Sequence, residues 1–235
     1  MNKLVTAILM TCLASTAFAS KAKLGALSQD TDGSYFIDDH RNVFLNPAYI
    51  GNLKEMATFE LGAASVSTTP KAEGGLVQKL NTGGVLGVYL GRVGLGAQNI
   101  QQAEADTGLT LFDPQNSVEV VYGWEGASKM GVSLHYAKSD SDTGETANLP
   151  DSNASSIVLS GGIINSQFTA HVNWSLQETT ETEAVGGGKD ELDGGLSARV
   201  GGSYNLGRGQ KVAAQLKKIS YDFETTASLK GDSDE

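Results

Sequence analysis

The chain has 235 residues, with 27 acidic against 17 basic side chains for a formal charge of −10, 29 glycines, four prolines and one cysteine. Positive charge this scarce and scattered excludes a nucleic-acid binder, which needs clustered Lys and Arg to displace counterions from phosphate. Mean hydropathy is near neutral at −0.18 and no stretch beyond the N-terminus holds the roughly 18 apolar residues of a membrane helix, yet a transmembrane β-barrel alternates apolar and polar residues and averages to the same value.

Residues 1–19 read as a secretory signal, with Lys3 as the positive start, Leu4 to Leu13 as the apolar core and Ala17-Phe18-Ala19 as the cleavage site. The only cysteine, Cys12, lies inside it, so the exported product forms no disulfide. Segment 20–54 mixes Asp, Asn and aromatic residues without a period, and Asn46-Pro47 signals a turn. It is expected to be extended or short-helical, lying in the periplasm or inside a lumen ahead of the domain at 55–235.

From Met56 onward the period becomes two. Val118, Val120, Tyr122 and Trp124 alternate with Glu119, Val121, Gly123 and Glu125, while Met130, Val132, Leu134 and Tyr136 alternate with Gly131, Ser133, His135 and Ala137. Phe168, Ala170, Val172, Trp174 and Leu176 give the cleanest alternation, and Leu196 to Asn205 repeats it. Further strands are expected at about 58–67, 85–92, 157–164 and 211–223, with a weaker one within 95–103. A soluble β-sandwich also alternates. Against it, one face is rich in small residues, aromatic residues sit near strand ends, and connection lengths alternate. Residues 125–128, 165–167 and 206–209 are tight turns, whereas 139–154, 178–193 and the stretch beyond Glu224 are long, polar and acidic. Short turns on one side and long loops on the other are the layout of outer-membrane barrels. The expected fold is therefore an all-β antiparallel transmembrane β-barrel of at least eight strands. Its last strand runs outward with no return, so the chain is expected to be incomplete at its C-terminus.

These features resemble Gram-negative outer-membrane β-barrel proteins of the porin-like kind. Phe44-Leu45-Asn46-Pro47-Ala48 also resembles the Asn-Pro-Ala element near the N-terminus of FadL-type transporters, and that resemblance implies that segment 20–54 folds into the lumen as a hatch. The more polar inner face departs from a fatty-acid channel.

Alternation places Glu60, Arg92, Glu119, His135, His171, Asn173, Arg199, Gln215 and Lys217 on the inward face as candidate lumen-lining residues, where mixed charges set a field across the pore or fill a narrow barrel. Trp124, Tyr136, Phe168, Trp174, Tyr204 and Tyr221 are candidates for two interfacial aromatic girdles. His171 and Ser175 share a strand face, but residues four apart on a strand are about 13 Å apart, too far for a nucleophile and its base. No catalytic residue and no cofactor is assigned. Asp30-Thr31-Asp32-Gly33 and the acidic run at 140–145 lack the spacing of a calcium loop, and no metal site is assigned. The function expected is passive diffusion of small hydrophilic solutes across the bacterial outer membrane. Its expected partners are membrane lipid, lipopolysaccharide and those solutes, not nucleic acid, and a homo-oligomer is compatible with the pattern. The rival reading is a surface interaction or adhesion protein acting through the acidic loops.

Overall fold

The computed structural model describes residues 20–53, 55–61, 72–109, 111–141, 151–184, 188–194 and 196–226. The expected signal, the tip of the 139–154 connection and the last nine residues lie outside them. Eleven strands form one antiparallel sheet: β1 Met56–Leu61, β2 Ala72–Lys79, β3 Gly84–Leu90, β4 Asn116–Trp124, β5 Lys129–Ser141, β6 Ser152–Ile164, β7 Phe168–Ala184, β8 Gly188–Gly194, β9 Ser197–Gly207, β10 Gln210–Lys218 and β11 Tyr221–Thr226. Each of β1 to β7 pairs with the next. The long β7 then pairs with β9 through its first half and with β8 through its second, and β10 and β11 pair with β9 and β8 in turn.

Among the described residues the sheet is not closed into a barrel, because there β1 pairs only with β2, and β10 and β11 pair only with β9 and β8. Three segments differ from their sequence reading, the single strand expected at 211–223 being two, β10 paired with β9 and β11 with β8. Leu95–Thr107 is a helix, not a weak strand; its buried positions Leu95, Gly96, Asn99, Ile100 and Ala103 recur at helical spacing, and Gly108 ends it in the left-handed conformation at φ 74°. Residues 178–193 are largely strand, because β-branched Thr180 and Thr182 alternate with Glu181 and Glu183, and Lys189 pairs across the hairpin with Glu181 at 3.1 Å. Strand β2 carries two glycines and two charged residues, Glu73 and Lys79, and gives little signal in sequence.

Tight turns at 80–83, 125–128, 165–167 and 208–209 gather at one end of the sheet. Asn165 shapes one of them, its Oδ1 accepting from the backbone N–H groups of Gln167 and Phe168 at 2.8 Å each. A second line of irregularity, further up, runs from β6 through β7 to the strands after it. The register shifts between Ile157 and Val158, Leu176 and Gln177 fall between the β9-paired and β8-paired halves of β7, and beside them β8 ends at Gly194, β9 begins at Ser197, and Ile219 and Ser220 separate β10 from β11.

The two faces of the sheet have opposite chemistry. Outward, Leu76, Val88, Val120, Leu134, Leu159 and Trp174 are register partners in one row, all exposed by at least 37%. On β7 the outward residues from Phe168 to Leu176 are all apolar, over about 27 Å of strand. Inward, buried polar and charged residues outnumber buried hydrophobic ones among the described residues. A water-soluble fold has the reverse arrangement.

Segment 20–53 lies against the inward face. It contains helix α1 (Ser20–Ala26), one helical turn α2 (Asn42–Leu45) and a 3-10 turn η1 (Pro47–Asn52); the helix Leu95–Thr107 is α3. The sheet curls round it. Asp32 touches both Arg92, just after β3, and Arg199 on β9, although five strand spacings of about 4.8 Å separate β3 from β9 along the sheet.

Candidate functional site: a charged interior filled by the N-terminal segment

A row of register partners runs across the inner wall as Gly123, Gly131, Gly162, His171 and Gly201 on β4, β5, β6, β7 and β9. The missing side chains make the groove in which the segment lies. A Cβ at Gly123 would overlap Ile50, at Gly131 the backbone of Pro47 and Ala48, at Gly162 the Asn46 side chain, and at Gly201 the Tyr35 hydroxyl. Asn46 fixes the register: its Oδ1 caps η1 by accepting from Ala48 N–H at 3.0 Å, and its Nδ2 donates to the carbonyls of Ile163 and Ala170 at 3.4 and 3.2 Å. Asn173 Nδ2 donates back to Leu45 O at 3.1 Å.

Charge on the inner wall is divided by side. Glu60, Glu73 and Glu119 stand on β1, β2 and β4; Arg199, Lys211 and Lys217 stand on β9 and β10. The segment presents the opposite sign to each. Arg41 donates to Glu73 at 2.8 Å and lies 3.7 Å from Glu60, and Lys21 donates to Glu73 at 2.5 Å. Asp30 and Asp32 face Arg199, each at 3.4 Å. Asp32, 1% exposed, also accepts from Arg92 at 2.9 Å and from Gln98 at 2.9 Å, while Arg92 donates to Glu119 at 2.7 Å. Burial pushes the Asp32 carboxyl up, but Arg92, Arg199 and Arg41 outweigh it and hold the carboxyl below the usual carboxylate range. Phe44 lies between the guanidinium groups of Arg41 and Arg92, 5.1 and 4.4 Å from its ring centre, and packs edge-on against Tyr89.

The nine candidate lumen residues all project to this face. Arg92, Glu119, His135, His171, Asn173 and Arg199 are no more than 5% exposed. Glu60 meets Arg41 and His40, and Gln215 accepts from Tyr35 at 3.3 Å. Lys217 stays exposed. His135 Nε2 lies 3.3 Å from Arg92 O, and His171 Nε2 lies 2.6 Å from the Tyr35 hydroxyl. Burial is the larger influence on the Tyr35 phenol and raises it to about 12. His171 and Ser175 do not meet, since Ser175 Oγ donates to Gln177 O at 3.5 Å. The gap bounded by His40, Arg41, Phe44, Glu60, Glu73 and Arg92 is about 10 Å³, room for about one water.

Of the girdle candidates, Trp124, Tyr136, Trp174 and Tyr204 are 41–46% exposed on the outer face, and Phe168 pairs with Tyr204 across β7 and β9. Tyr221 instead faces inward, packing beside Leu192 and Ile100 and donating to Asp106 on α3 at 3.4 Å. Sequence reasoning missed Asp32, Arg41, Glu73 and Glu178 as interior partners. The Asp-Thr-Asp turn and the lone Arg41 are visible, but pairing over 32 positions, as between Arg41 and Glu73, up to 167, as between Asp32 and Arg199, needs the fold. Comparison with known protein families, with curated proteins and with solved structures finds no match to this chain.

Proposed function

We propose that this chain is an outer-membrane β-barrel protein of the porin-like kind, which admits small hydrophilic solutes when segment 20–53 leaves the inner wall. The observation that carries the reading is the uncharged outward band. It spans about 20–27 Å of strand on β5 and β7, close to the apolar band of about 25 Å that a bacterial barrel shows to lipid. The divided charge of the inner wall supports the solute class, since opposed rows of acids and bases favour water and polar solutes over acyl chains. In this reading the docked segment is the closed state. Purified protein in planar bilayers should show rare, stepwise openings that become frequent when the segment is loosened. Folded, inserted protein that stays silent with the segment loosened would overturn the reading.

A second reading is favoured by the filled interior: a non-conducting barrel that binds another surface through its acidic end. Asp140, Asp151, Glu181 and Glu183 surround a recess of about 200 Å³ at the end opposite the tight turns. Deleting residues 142–150 would then abolish adhesion and leave bilayer behaviour unchanged.

A further inference from the structure

The like-charged pair Lys217 and Arg199 stands directly opposed on β10 and β9, both facing inward. Two cations opposed across a ladder destabilise each other unless an anion lies between them. The anions available within the chain serve them poorly. Lys217 makes no ion pair or hydrogen bond among the described residues. Arg199 is 2% exposed, its Nε has no partner, and its terminal nitrogens lie 3.4 Å from Asp30 and Asp32, beyond the roughly 2.7–2.9 Å of a good charge-assisted bond. Asp32 is already held by Arg92. Asp30 is 44% exposed at its side chain and accepts otherwise only from the Asp32 backbone N–H.

We propose that Arg199 and Lys217 form a binding site for a small free oxyanion, a phosphate or a carboxylate, and that Asp30 is the internal carboxylate which that anion replaces. Gln215, exposed beside Lys217 on the same face, adds a neutral amide donor next to the pair, its Oε1 being held by the half-buried Tyr35 hydroxyl. Strand β10 is exposed along most of its length, so an anion can reach Lys217 without disturbing the glycine groove. The replacement is an exchange of one carboxylate for another anion and needs no covalent step. The site goes beyond solute passage, because binding in detergent requires neither an open lumen nor a membrane.

The test is titration of the detergent-purified full chain with inorganic phosphate, followed by calorimetry, in the presence of a fixed chloride concentration. Lys217→Gln should weaken binding about tenfold, the loss of one charge-assisted hydrogen bond. Asp30→Asn should tighten it several-fold by removing the internal competitor, a gain that a merely structural role for Asp30 would not produce. Acetate should compete with phosphate. Lack of saturable binding by the wild type, unchanged affinity in Lys217→Gln, or weaker binding in Asp30→Asn would each overturn the proposal. Because both altered residues are exposed, heat-modifiable migration and circular dichroism serve as the check that each variant is folded.

Discussion

Replacing Asp32 with Asn should release the N-terminal segment from the wall. Among the described residues Asp32 is the one side chain that touches both Arg92 and Arg199, so it joins the two sides of the curled sheet through the segment. Asparagine keeps the shape but loses the charge and turns an amide N–H toward one of the guanidinium groups. Removing one partner of a buried ion pair costs about 3–5 kcal/mol. Arg92 keeps Glu119, so the loss falls mainly on Arg199 and the lower end of that range applies, about 3 kcal/mol, or roughly 150-fold in the docking equilibrium. Amide hydrogen exchange over residues 42–52 reads the docked population directly. Exchange there should quicken by about that factor while β5 and β6 amides stay protected, and bilayer openings should become correspondingly more frequent. Exchange at 42–52 unchanged from wild type would refute the idea that this carboxylate holds the segment.

Other outcomes follow from the same geometry. Gly131→Val should displace η1, since even a Cβ there overlaps Pro47; a cost of about 1–3 kcal/mol, read as faster exchange at 46–52, is expected, and an unshifted pattern would count against the groove. Leu134→Arg, in the middle of the outward band at 50% exposure, should cost about 2–4 kcal/mol of folding in lipid, whereas a water-soluble sheet would tolerate it and stay monodisperse without detergent. His40 lies against Asp39 and Glu60, with Arg41 and Lys23 nearby. Burial is the larger influence and lowers its pKa, so the docked state binds a proton less readily than the free segment. Docking is then at full strength above the free value of about 6.5 and weakens as pH falls below it towards the docked pKa. His40→Gln should flatten that pH dependence in the exchange assay.

Much of the sheet can be read without coordinates, and the reasons are local. Strands β4, β5 and β7 declare themselves because their central outward residues are mostly large and apolar and their inward ones, Val121 apart, are small or polar, a period that no helix reproduces. The turns at 165–167 and 208–209 show in Asn165 and in Gly207-Arg208-Gly209. Helix α3 does not show, because Leu95 and Ile100 are its only large apolar residues and its inward stripe is completed by Gly96, Ala97, Asn99 and Ala103. The interior residues are legible as inward-facing, but not as partners. Nothing near Glu73 in sequence indicates Arg41, and nothing near Arg199 indicates Asp32. That the wall is lined by glycine is plain from composition, whereas what fills the space left by the glycines depends on how segment 20–53 returns across the sheet.

The irregular line through Leu176, Gln177, the end of β8 at Gly194 and the step from β10 to β11 at 219–220 has a mechanical consequence. Below it the β7–β9–β10 ladder is continuous, and above it β7–β8–β11 forms a separate ladder. β7 and the β5–β6 ladder run straight through the line, but between the β9–β10 and β8–β11 ladders side chains do the joining: Ser197 donates to Glu178 at 3.1 Å and accepts from Ser220 N–H at 3.2 Å, and Asn99 of α3 donates to Glu178. A sheet sewn by side chains along one course yields there before it yields along a backbone ladder. Force applied to the rim at β8 and β11 would therefore bend that corner first, and leave the β9–β10 side gripping the N-terminal segment.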